Sequence, residues 1–151
     1  VRGRLPEDFA AAAEWILAAD TVVVLDGAIL EKPADAQGAR DMLTQLSGST
    51  HEVMTAFAWV HRTDDRSVVE LVTTEVTLGS MSAEMIEQYV DTGEPMDKAG
   101  SYGIQGLGAV FVESINGSYS CVVGLPIAAV VRTLQALGGF DGFPFFPRDS
   151  S

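Results

Sequence analysis

The chain has 151 residues, of which 47% are hydrophobic and 20% charged, with 21 acidic against 9 basic side chains for a net charge of −12 at pH 7. That size fits one domain burying roughly 68–70% of its unfolded surface, and that composition excludes a disordered chain. The acidic balance repels a nucleic-acid backbone or an anionic membrane, which excludes polymeric DNA or RNA as a partner and leaves small phosphorylated ligands, met by a few well-placed lysines.

Pro6 to Glu14 read as the end of a helix, and the near-continuous apolar run Ile16 to Leu25 as a strand buried on both faces. Asp26-Gly27 turns it into Ala28-Ile29-Leu30 as a hairpin. Ala39, Met42, Leu43 and Leu46 then follow helical spacing, with Gly48 as the stop. Glu52 to Arg62 and Ser67 to Leu78 are rich in Val, Thr and aromatics and flank Asp64-Asp65, predicting a long hairpin. Ser82 caps a helix that buries Met85, Ile86, Tyr89 and Val90 and ends at Gly93.

A glycine-rich run from Asp97 to Gly108 comes next, with four glycines in nine residues, a pattern that serves close backbone approach to a ligand or a tight connection between elements. Ala109 to Ile115 and Ser118 to Val123 flank Asn116-Gly117 as a hairpin. Pro126 opens a last helix that buries Ile127, Val130, Val131, Leu134 and Leu137 and stops at Gly138-Gly139. The fold class is α/β, a mixed twisted sheet with flanking helices. Residues 1–139 form its single domain, and 140–151 are an irregular Phe/Pro-rich tail.

Asp20 stands out as a carboxylate in an apolar strand, which needs an ion pair, a metal or a place at the strand's solvent end. Lys32 and Lys98 are the only two lysines, each either a solvated surface charge or an anion contact. His51 reads as a hydrogen-bonded structural residue rather than a catalyst. No Cys/His cluster has zinc-ligand spacing, and there is no Walker motif and no Gly-x-Ser-x-Gly elbow. The lone Cys121 excludes an intrachain disulfide, no apolar run reaches membrane-spanning length, and residues 1–15 lack signal-peptide character; together these point to the cytoplasm.

The strings LAADTVVVLDG (17–27), ILEKPAD (29–35), LSGSTHEV (46–53), GEPMDKAGSYGIQGLGAVFVESINGSYS (93–120) and VVGLP (122–126) resemble the Maf family of nucleoside triphosphate pyrophosphatases. The match runs in order over about 120 residues, and several motifs at consistent spacing are far more specific than one glycine-rich loop. Thr21 and Ile104-Gln105-Gly106 resemble the branch acting on dTTP, UTP and related modified pyrimidine nucleotides; the 7-methyl-GTP branch typically has glutamate at the Gln105 position.

The resemblance implies hydrolysis of the α,β-phosphoanhydride to a nucleoside monophosphate and pyrophosphate, with a divalent cation, magnesium or manganese. It makes Asp20 the catalytic residue, as general base or as metal ligand. Lys32 and Lys98 become triphosphate contacts, and Thr21 and Gln105 the residues that read the base. It also implies the family's homodimer as an oligomeric state. The family's opening strand and Ser-x-Ser-Pro-Arg-Arg phosphate-binding segment do not occur in the sequence, which reads as an N-terminally truncated member. That leaves a second expectation, an inactive or weakly active nucleotide-binding remnant, or a regulator of septum formation, with the same fold.

Overall fold

The structure is a computed structural model describing residues 14–139. Strand β1 (Trp15–Leu25) turns into β2 (Ala28–Leu30) at Asp26 and Gly27, whose φ values of 50° and 80° are both positive, as a two-residue hairpin turn requires. Helix α1 (Ala36–Leu46) starts where the Asp35 carboxylate accepts the Gly38 N–H at 2.8 Å, and it stops just before Gly48. Strands β3 (Thr50–His61) and β4 (Ser67–Leu78) form the predicted long hairpin. Its turn is held by Asp64, which accepts from the backbone N–H and the Nε of Arg66 at 3.0 and 2.9 Å. Helix α2 (Ala83–Asp91) is capped by Ser82. Three short 3-10 turns, Glu94–Asp97, Ala99–Ser101 and Leu107–Phe111, lead to β5 (Val112–Asn116), and helices α3 (Tyr119–Val123) and α4 (Ile127–Ala136) complete the described chain.

The five strands make one sheet in the order β2-β1-β3-β4-β5. The α/β architecture with flanking helices is present, and among the described residues every pairing is antiparallel. Along β3 the burial alternates strictly, so His51, Val53, Thr55, Phe57 and Trp59 all point under the helices. Val53, Val23, Val76 and Leu78 pack with Leu43 and Leu46 of α1 and with Ile86, Tyr89 and Val90 of α2. Phe57 and Trp59 meet Ala129 and Val130 of α4, and the Trp59 indole N–H donates to the Val130 carbonyl at 3.0 Å. Each of these large side chains contributes about 1.5–3 kcal/mol through burial.

Four readings are corrected by the structure. β1 is not buried on both faces, because its middle residues Ala19 and Asp20 are exposed. Asn116-Gly117 turns the chain but opens no second strand. Instead Ser118 caps α3 by accepting the Cys121 N–H, and the buried Cys121 thiol donates to the Val72 carbonyl at 3.2 Å, so the apolar run Cys121 to Val123 folds onto the sheet as a helix. Ala109 to Phe111 belong to a 3-10 turn rather than to β5. Met85 and Ile127 are exposed, and the buried face of α4 is Ala129, Val130 and Thr133. The predicted helix end (apart from Glu14) and the Phe/Pro-rich tail lie outside the described residues.

Candidate active site

The open middle of β1 forms one wall of a cavity of about 600 Å³. Its other walls come from Lys32 after β2, from Lys98 and the segment Tyr102 to Gly106 after α2, and from Val122 to Gly124 at the end of α3. Thus Asp20, Thr21, Lys32, Lys98 and Gln105, up to 85 positions apart in sequence, line a single space.

Asp20 is exposed, its strand partner is Ala56, and its Oδ1 accepts the Thr21 N–H at 2.9 Å. Asp20 lines the cavity as an exposed residue, so its carboxylate carries no burial penalty and needs no ion pair, unlike the expectation for a carboxylate inside a buried strand. Thr21 Oγ1 lies 2.8 Å from the hydroxyl of buried Thr55, which donates to the Cys121 carbonyl at 2.8 Å. A hydroxyl has one proton to give; Thr55 spends it on Cys121, so Thr21 donates to Thr55 and offers only lone pairs to the cavity.

Lys98 pairs with Asp97 at 2.6 Å, and the lysine's hydrogen bond and charge hold the Asp97 carboxyl below the ordinary range. Its stem passes so close to Gly103 that a Cβ there would stand 2.6 Å from Cε, so a larger residue would push the end of the lysine aside. Lys32 is exposed at the cavity rim. Lys32 and Lys98 thus put two cations on the wall of a cavity that Asp20 and Glu94 also line, and such cations suit the phosphates of a small ligand in an otherwise acidic protein.

His51 sits behind the cavity wall, 2% exposed, with Nε2 at 2.8 Å from the hydroxyl of Tyr102, a lining residue. Burial pulls its pKa down to about 4, so the imidazole is neutral at physiological pH.

Reading the sequence alone missed Glu94 and Tyr89. Glu94 lines the cavity and its carboxylate accepts from the Tyr89 hydroxyl at 2.8 Å and from the backbone N–H groups of Leu107 and Gly108 at 2.8 and 3.0 Å. Burial opposes its ionisation, but those donors outweigh it and hold the carboxyl below its usual range. The same phenol accepts the Gly103 N–H at 3.1 Å, and burial raises its pKa, so it stays a donor. The one available signal was an acidic residue beside a glycine-rich run whose backbone N–H groups need acceptors.

Among the described residues no group of three His, Cys, Asp or Glu could hold a metal, and no helix is long and apolar enough to cross a membrane. A sheet-walled cavity with two lysines, one open carboxylate and a glycine-built loop bearing an amide defines an α/β domain suited to a small phosphorylated ligand. The sequence profile described as "Maf-like protein" matches residues 4–137, and the chain belongs to the Maf family. It is 53% identical over 127 residues to a dTTP/UTP pyrophosphatase of Escherichia coli, covering 83% of this chain and 61% of that protein. Proteins of the same name from Desulfotalea psychrophila and Salmonella typhimurium are each 54% identical, over 80% and 83% of this chain and 62% and 61% of theirs. The chain thus spans about three fifths of the length of the curated relatives it matches.

Proposed function

We propose that this chain carries the nucleotide pocket of a nucleoside triphosphate pyrophosphatase that cleaves dTTP, UTP and related modified pyrimidine nucleotides to the monophosphate and pyrophosphate. The observation that carries the reading is the convergence of Asp20, Thr21, Lys32, Lys98 and Gln105 on one cavity. Asp20, open and unpaired by any lysine, takes the proton of the water that attacks the α-phosphorus. Lys32 and Lys98 neutralise charge on the departing pyrophosphate. The ring N3–H of uracil or thymine is a donor flanked by two carbonyls. A Thr21 hydroxyl restricted to accepting and a Gln105 amide that both donates and accepts suit that edge better than cytosine, whose N3 is an acceptor.

A divalent cation fits this site as a companion of the substrate rather than as a caged resident. Asp20 supplies one open carboxylate, Glu94 is committed to loop amides, and magnesium or manganese commonly binds through one or two carboxylates plus phosphate oxygens and water. When bound, such an ion would add Lewis-acid stabilisation of the phosphates.

Pyrophosphate release from dTTP and UTP, set against GTP and CTP, tests the reading. Release that prefers dTTP and UTP and is lost in Asp20→Asn supports it; binding of those two without release supports a nucleotide-binding member of the family, and no preference among the four nucleotides overturns it.

A further inference from the structure

Gln105 is exposed, and its side chain makes no hydrogen bond to any described residue, so the loop backbone is what sets the place and direction from which the side chain reaches out. That backbone belongs to a loop closed on itself by the Gly106 N–H on the Gly103 carbonyl at 3.3 Å. Both ends of the loop are tied to one pair of side chains. Gly103 at the front donates to the Tyr89 hydroxyl, while Leu107 and Gly108 at the back donate to the two oxygens of Glu94, and the phenol and carboxylate are themselves bonded at 2.8 Å.

The pair is rigid in its own right. Tyr89 is 4% exposed on α2 and lies edge-on to Phe111 with ring centres 5.2 Å apart. Glu94 is set between Gly93, at φ 77°, and buried Pro95, with its own N–H on the Thr92 hydroxyl at 3.2 Å. A Cβ at Gly106 would fall on the Glu94 carboxylate, so the loop and the clamp fit only with glycine there.

We propose that Glu94 and Tyr89 are positioning residues for Gln105, setting the base preference of the site through the loop backbone without touching the base. The inference rests on the pyrimidine reading above. It differs from that reading in locating specificity partly in two residues whose polar atoms are spent inside the protein.

The test compares wild type with Tyr89→Phe, Glu94→Gln, Gln105→Ala and the two double variants that combine each positioning change with Gln105→Ala. Binding of α,β-imido-UTP and α,β-imido-CTP is measured by calorimetry and turnover of UTP by pyrophosphate release. In the single positioning variants the uridine-over-cytidine ratio is expected to drop by about tenfold, with UTP turnover losing through KM while kcat stays within about twofold. On top of Gln105→Ala the same changes are expected to alter the ratio less than twofold, because the residue they act through is gone. Amide exchange separates this from unfolding: Gly103, Leu107 and Gly108 lose protection while Phe57 in β3 keeps it.

An unchanged ratio in both single variants of a discriminating wild type overturns the inference and leaves the pyrimidine reading standing, as do losses that add fully to Gln105→Ala. A wild type that does not distinguish the two analogues overturns the reading itself and this inference with it.

Discussion

Thr21 and Thr55 face each other across β1 and β3 with their hydroxyls 2.8 Å apart, and the direction of that hydrogen bond is set by a third group, the Cys121 carbonyl. A buried core threonine therefore decides what a cavity threonine can offer a ligand. Replacing Thr55 by Val removes the donor to Cys121 and the acceptor for Thr21 together, and is expected to cost about 1–3 kcal/mol in urea denaturation. Thr55→Ser keeps both bonds and retains most of that stability. With Thr21 released, Thr55→Val should also weaken the preference for uridine over cytidine nucleotides in the binding assay.

Asp20→Asn separates chemistry from folding. Because the carboxylate is exposed and its bond is to its neighbour's own N–H, the change is expected to shift stability by no more than about 0.5 kcal/mol. The same substitution removes the base the proposed reaction depends on. A thermal melt matching wild type beside undetectable pyrophosphate release is the expected pair of results; release at wild-type rate would remove Asp20 from catalysis.

His51 gives the fold a pH dependence with a definite sign. Its pKa is about 4 in the folded chain against an ordinary 6.5, so the unfolded chain binds more protons between those values. The contribution is complete above pH 6.5 and is lost as the pH falls towards 4, by an amount of order 3 kcal/mol. His51→Phe cannot titrate and is expected to flatten the stability curve in that window. It should lower stability at pH 7 as well, since the Tyr102 hydroxyl loses its partner. Denaturant melts at pH 7.5, 6 and 4.5 on both proteins check the slope.

Gly103→Ala places a methyl group where the Lys98 stem now runs. The far end of a lysine moves easily, so the expected outcome is a displaced ammonium and not an unfolded protein. Affinity for the triphosphate should fall about tenfold while the melting temperature changes by only a few degrees. A monophosphate, which needs less positive charge, should lose less in the same titration.

Much of this protein is legible from short stretches of sequence. Asp26-Gly27 sets a turn, Asp35 and Gly48 bound a helix, and the alternation along β3 chooses its buried face, because caps, positive φ and pleat periodicity depend on near neighbours. The five candidate residues that line the cavity were likewise named from short motifs, through the resemblance those motifs bear to the Maf family. The helix after Asn116-Gly117 was not readable, because the dipeptide favours a turn but Ser118 and the Cys121 thiol decide which element the turn leads into, the thiol by bonding a strand carbonyl 49 positions away. The exposure of Asp20 depends on what the fold leaves uncovered along β1, and the tethering of the Gln105 loop on Tyr89 and Glu94 reaching across it. The sequence by itself determined most of the elements and named the residues proposed to carry chemistry. Which of those residues is exposed, which hydroxyl donates and what holds the Gln105 loop were decided only in three dimensions, because burial and hydrogen-bond direction depend on groups that folding brings together from distant parts of the chain.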